Sequence, residues 1–124
     1  MEKKIDAIVD ITNKKDTVRI ATASGILRLN EKSIDAIRNK SVKKGDVIEA
    51  STVAAIQAVK ETPRIIPHCH PIPLQACDVN WNIENDLLRC TVTVKATYKT
   101  GIEMEAITGC LLYTSPSPRD LYQS

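Results

Sequence analysis

The residues most able to do chemistry in this chain gather in two short runs. Residues 64–74 read RIIPHCHPIPL, setting His68 and His70 on either side of Cys69 with prolines at 67, 71 and 73 around them. Residues 99–109 read KTGIEMEAITG, with Glu103 and Glu105 flanking Met104. As a metal site the first run supplies two imidazoles on one side of an extended segment. Zinc takes three or four ligands, so Glu103, Glu105 or Cys110 would have to complete the set, and no spacing motif demands it. As a nucleophile, Cys69 needs a base, and neighbours on an extended chain point away from it. As a ligand-contact loop, the prolines stiffen the backbone while imidazoles suit proton transfer or hydrogen bonds to phosphate. A stiff connector with solvated histidines is the plain alternative. Glu103 has a structural reading too, because Thr100-Gly101-Ile102-Glu103 has the form of a capping box.

These runs need elements to hold them. Residues 17–29 have strand composition, but the apolar phase shifts from Val18 and Ile20 to Leu27 and Leu29, which predicts a bulge or bend at Ser24-Gly25. Residues 30–40 read as a short helix capped by Asn30. Residues 43–63 carry a stronger helix signal: Asp46 caps, Glu49 follows three residues later, Ile48, Thr52, Ala55 and Val59 share a face, and Pro63 ends it. Lys43 and Lys44 precede that helix, where an anion is favoured. Alternation over Cys77–Ile83 and Leu88–Ala96 around an Asn-Asp turn predicts an antiparallel hairpin with one buried face. From residue 99 a second main helix is expected, with Met104, Ile107 and Leu111 as its apolar stripe and Glu103 and Glu105 on opposite flanks. Strand, helix, hairpin and helix make an α+β chain with most of a split β-α-β pattern. The last strand is not supplied, because residues 110–124 read CLLYTSPSPRDLYQS, with two Ser-Pro steps and no alternation.

Composition narrows the function. With 43% hydrophobic and 26% charged residues over 124 positions, the chain suits one globular domain. A net charge of +2 and 3% aromatic residues argue against a nucleic-acid binder, which wants a basic groove interleaved with stacking rings. No apolar run approaches a membrane span, and the charged start MEKKIDAIVDI lacks the apolar core of a secretory signal, so a cytoplasmic protein is expected. The four cysteines form no C-x-x-C pair. A Cys77–Cys90 disulfide is conceivable, and buried free thiols are the preferred expectation. No G-x-G-x-x-G or Walker pattern is present.

Taken together, VDITNKKDTVRIATASGIL (9–27), KKGDVIEASTVAAIQAVKETPRIIPHCHPIPL (43–74) and KTGIEMEAITG (99–109) resemble the cyclic pyranopterin monophosphate synthase family, the molybdenum cofactor biosynthesis protein C family. The resemblance implies a lyase converting 3′,8-cyclo-7,8-dihydro-GTP, a GTP-derived substrate, into cyclic pyranopterin monophosphate and pyrophosphate. It implies a ferredoxin-like α+β fold in a homohexamer, a trimer of dimers with active sites at subunit interfaces. No cofactor is required, no metal site is expected, and Mg²⁺ could sit on the substrate phosphates. Carried over by position, the catalytic residues are Lys44, His70 and Glu103. The substrate-binding residues are His68, Cys69, His70, Met104, Glu105, Arg19 and Lys60, with the two basic positions facing the triphosphate.

Two departures from the family pattern stand out. His68 occupies a position where the family commonly has leucine. After Gly109 the family continues its helix into an Asp and a Lys three residues apart and a fourth strand, and Asp120 does not sit in that context. The expectation is therefore a synthase-like domain over 1–109, incomplete at its C-terminus through truncation or a change of reading frame, and an irregular tail over 110–124. A poorly stable scaffold or binding module without turnover is the alternative that this departure raises.

Overall fold

A computed structural model describes residues 7–42 and 45–114. Strand β1 (Thr17–Arg28) is followed by helix α1 (Glu31–Arg38), helix α2 (Val47–Lys60), a single-turn helix α3 (Thr62–Ile65), strands β2 (Leu74–Glu84) and β3 (Leu87–Tyr98), and helix α4 (Glu103–Thr114). The strands form one antiparallel sheet in the order β1-β3-β2, with helices α2 and α4 packed on one face. This is the α+β, split β-α-β arrangement expected, with three strands among the described residues. Residues 115–124, within the expected tail, lie outside the described residues, whereas α4 keeps its helical period through Cys110 and Leu111.

Local signals account for most boundaries. The Asn30 side chain accepts from the Ser33 N–H at 2.8 Å, and Asp46 accepts from the Glu49 N–H at 3.2 Å, so both expected caps form. Pro63 does not release the chain into a loop. It occupies the first turn of α3, where a missing N–H costs nothing, so the chain re-enters a helix immediately after α2. The buried Thr62 hydroxyl fills the junction, shared between the carbonyls of Ala58 and Val59 at 3.0 Å each. At the β2–β3 turn Asn85 takes φ 40°, a conformation that asparagine tolerates better than most residues.

The core lies between the sheet and helices α2 and α4. Leu88, Cys90, Val92, Val94 and Ala96 of β3 are fully covered, and the last four meet Val59, Ile102, Ala106 and Cys110. Trp81 joins β2 to α2 by donating its indole N–H to the Thr52 hydroxyl at 2.8 Å. None of the four cysteines is in a disulfide. Cys90 sits opposite Trp81 and Cys77 opposite Val94, so the two are not cross-strand partners. Burial, with Cys110 nearby, pushes the Cys90 thiol up to about 12, as suits a packing residue.

Two sequence expectations are corrected. No bulge occurs at Ser24-Gly25, because β1 pairs with β3 in unbroken register along its whole length; the irregularity lies in β2, between Leu74 and Ala76. The apparent phase change arises because Val18, Ile20 and Ile26 stand on the open face, beside a hydroxyl ladder of Thr22 with Thr93 and Ser24 with Thr91. Ala21 and Ala23 pack inward. The expected stripe of α4 also faces outward: Met104, Ile107 and Leu111 are 38%, 39% and 48% exposed. The helix seats instead through Ile102, Ala106, Gly109 and Cys110, because small residues let it approach α2 and β3 closely. A Cβ at Gly109 would lie 2.8 Å from Val59 Cγ2 and 3.3 Å from Val92 Cγ1.

Gly109→Ala is accordingly expected to destabilise the protein. Overpacking costs about 1–3 kcal/mol, and the helical preference for Ala over Gly returns only about 1 kcal/mol. The net loss, up to about 2 kcal/mol, should appear as a lower urea midpoint at unchanged slope. A raised midpoint would show that α4 is free to lift away.

Candidate active site

The proline-rich run descends directly from α3. The Cys69 N–H donates to the Ile66 carbonyl at 3.0 Å, turning the chain, and residues 70–73 then lead into β2 without regular structure. The prolines at 67, 71 and 73 have no N–H to leave unpaired there. This course lays His68, Cys69 and His70 beside the start of α4. The backbone at Thr100-Gly101 brings the chain into that helix, and a Cβ at Gly101 would run into the Glu103 carboxylate folded over it.

The two runs thus line one cavity of about 180 Å³, whose walls include His68, Cys69, His70, Glu103, Met104 and Glu105. Six of the candidate residues converge, although the two runs are about thirty positions apart in sequence. A second cavity of about 310 Å³ adjoins it, sharing Ile72 and Glu105, and carries Lys60 with Pro63, Pro71 and Pro73 on its rim. Arg19 borders neither cavity. It reaches from β1 to donate to the Lys99 carbonyl at 3.5 Å, just before the Thr100-Gly101 wall, and its Nε is buried without a partner among the described residues. Lys44 lies outside the described residues.

Glu105 is the most unusual group here. It is 3% exposed, and Oε2 finds no hydrogen-bond partner among the described residues. Burial raises its pKa above the ordinary carboxylate value, opposed by its own backbone N–H and reinforced by the neighbouring charge of Glu103. Burial, with Glu105 adding, likewise raises the Cys69 thiol, so this cysteine favours its neutral form and is a poor nucleophile. Glu103, by contrast, is solvent-exposed. Two carboxyls two residues apart therefore occupy unlike environments, one predisposed to hold a proton and one in water. Among the described residues no three His, Cys, Asp or Glu side chains are grouped as a metal ion would require.

One wall was not foreseen. Val9, from the segment ahead of β1, lines the same cavity, and the His70 Nε2 lies 2.7 Å from the Val9 carbonyl oxygen. No local pattern announces a contact between residues so far apart. The only signal was that the family-like block begins at Val9-Asp10.

The chain is similar in sequence to known proteins. A "Probable cyclic pyranopterin monophosphate synthase" of Sulfurisphaera tokodaii is 52% identical over 101 residues, covering 82% of this chain and 67% of that protein. Proteins of the same name from Archaeoglobus fulgidus and Methanopyrus kandleri are 49% and 46% identical over 102 and 109 residues, covering 82% and 86% of this chain and 65% and 70% of theirs. The chain thus spans about two thirds of the length of these relatives. The sequence profile of the MoaC family matches residues 8–114, which include the proline-rich loop, the start of α4 and the segment carrying Val9, and the chain belongs to that family.

Proposed function

We propose that this protein is a cyclic pyranopterin monophosphate synthase, a lyase that converts 3′,8-cyclo-7,8-dihydro-GTP into cyclic pyranopterin monophosphate and pyrophosphate in molybdenum cofactor biosynthesis. The observation that carries the reading is the convergence of His70, Glu103 and Glu105 on one cavity, in a chain about half identical to proteins bearing that name. Opening and rebuilding a heterocycle while closing a cyclic phosphate requires groups that donate and accept protons at fixed positions. His70 and Glu103 serve as the acid–base pair. Glu105, held toward its neutral form, can donate a hydrogen bond that an ionised carboxylate cannot. Met104 and Cys69 give the heterocycle an uncharged wall, with His68 at the edge of the same loop.

The substrate's polyphosphate calls for cations. Lys60 on the rim of the adjoining cavity meets it directly, with Lys44 ahead of α2 as a further catalytic contact. Arg19 serves this region from β1, adjacent to the Thr100-Gly101 wall. The reaction needs no resident cofactor, and Mg²⁺ accompanies the substrate's phosphates. The working form is a cytoplasmic homohexamer of three dimers, with each site completed at a subunit interface. No helix among the described residues is long and apolar enough to cross a membrane.

Purified protein incubated with 3′,8-cyclo-7,8-dihydro-GTP should release pyrophosphate together with the cyclic pyranopterin. His70→Ala should lower kcat/KM by about 10²–10⁴-fold, the usual contribution of a positioned acid or base. No product from protein that melts cooperatively would overturn the proposal.

A second expectation concerns stability. The unfolded chain releases the Glu105 proton near the ordinary carboxylate pKa, whereas the folded chain holds it to higher pH. Between those two values the folded state binds more protons, so this group's contribution to stability falls as pH rises and is level above the folded pKa. Thermal melts across that window should show a flatter pH dependence for Glu105→Gln than for the parent. Parallel slopes would show that the carboxyl titrates normally.

A further inference from the structure

The proposed chemistry uses His70 but leaves open which of its ring nitrogens works, and the structure bears on that directly. A carbonyl oxygen can only accept a hydrogen bond. The 2.7 Å contact between His70 Nε2 and the Val9 carbonyl therefore requires Nε2 to carry a hydrogen and donate it. In a neutral imidazole the second nitrogen is then bare, and Nδ1 holds the lone pair. We propose that segment 7–11 is a positioning strap that fixes His70 as the Nε2–H tautomer through the Val9 carbonyl, leaving Nδ1 as the nitrogen that exchanges protons with bound substrate. The inference rests on the reading of His70 as part of the active site.

The strap is shaped to do this. Asp10 folds the chain just after Val9, its Oδ1 accepting from the Thr12 N–H at 3.0 Å and from the Thr12 hydroxyl at 2.6 Å. The Lys14 N–H then donates to the Ile11 carbonyl at 3.1 Å, turning the chain toward β1. Between these turns and the His70 bond the strap is exposed, with Val9 59% accessible, so its placement depends on a few polar contacts and not on apolar burial. The Thr12 hydroxyl and then its N–H stabilise ionised Asp10 and lower its pKa, which favours the turn wherever that carboxylate is charged. His68 and Cys69 on the same loop, and Glu103 and Glu105 on α4, are the other titratable groups facing the cavity. No hydrogen bond from any of them to the His70 ring competes with the carbonyl.

The test is imidazole ¹⁵N NMR on the full-length protein without substrate. The chain has two histidines, so His68→Gln assigns the spectrum. His70 in its neutral form should show a protonated Nε2, a bare Nδ1 and a scalar coupling from Nε2 to the Val9 carbonyl carbon. Deleting residues 1–9 should remove the coupling and draw the two nitrogen shifts toward a common average, and Asp10→Ala should weaken the coupling. A bare Nε2 in the parent, or an Nε2–H tautomer unchanged by the deletion, would overturn the proposal. Because the parent measurement needs no turnover, it stands apart from the synthase assay. A fixed tautomer in a protein without turnover would refute the activity and leave the strap's role intact.

Discussion

The site depends on how closely helix α4 can lie against α2 and β3. Gly109 allows that approach, with Val59 Cγ2 and Val92 Cγ1 occupying the space a side chain would need. Ala106 and Cys110 continue the same small-residue face, and the Cys110 thiol donates to the Ala23 carbonyl of β1 at 3.2 Å. Once the helix is seated there, its first turn has one position. Glu105 is carried into the protein, Glu103 is left in water, and both meet the His68–His70 loop. Since interiors pack at crystal-like density, a side chain added at this contact would displace the carboxyls along with the helix.

A buried carboxyl with an oxygen that has no partner among the described residues is costly, and few residues in a domain tolerate that arrangement without a functional reason. Here it lies on the wall shared by two cavities, one with imidazoles and the other with a lysine. Burial favours the protonated form of Glu105, while Glu103 stands exposed to solvent. A GTP-derived substrate fits that division, since a heterocycle needs proton donors and acceptors while a polyphosphate needs cations.

Much of the fold was legible in local patterns. Asn30 and Asp46 announced their helices, and the alternation around Trp81 and Val92 announced the hairpin. What failed was the choice of face. On α4 the large apolar residues Met104, Ile107 and Leu111 suggested the core side, yet close packing favoured Ala106, Gly109 and Cys110. Hydrophobicity weighs a methionine or leucine heavily and cannot see the advantage of a missing side chain. On β1 the same bias pointed to Val18 and Ile20, whereas Ala21 and Ala23 fit beneath the helices. The proline-rich loop and the glutamates were recognised as chemistry-bearing from residue type and family resemblance. Their meeting with Val9 depended on long-range topology that no local window contains.

The central claim is that one cavity, walled by His70 and Glu105 and continued toward Lys60, holds the substrate. The most direct measurement is a crystal structure of the His70→Ala protein with 3′,8-cyclo-7,8-dihydro-GTP. The account predicts the heterocycle beside Met104 and Glu105, with the phosphates directed to Lys60. A substrate bound on another surface, with this cavity filled only by water, would contradict it.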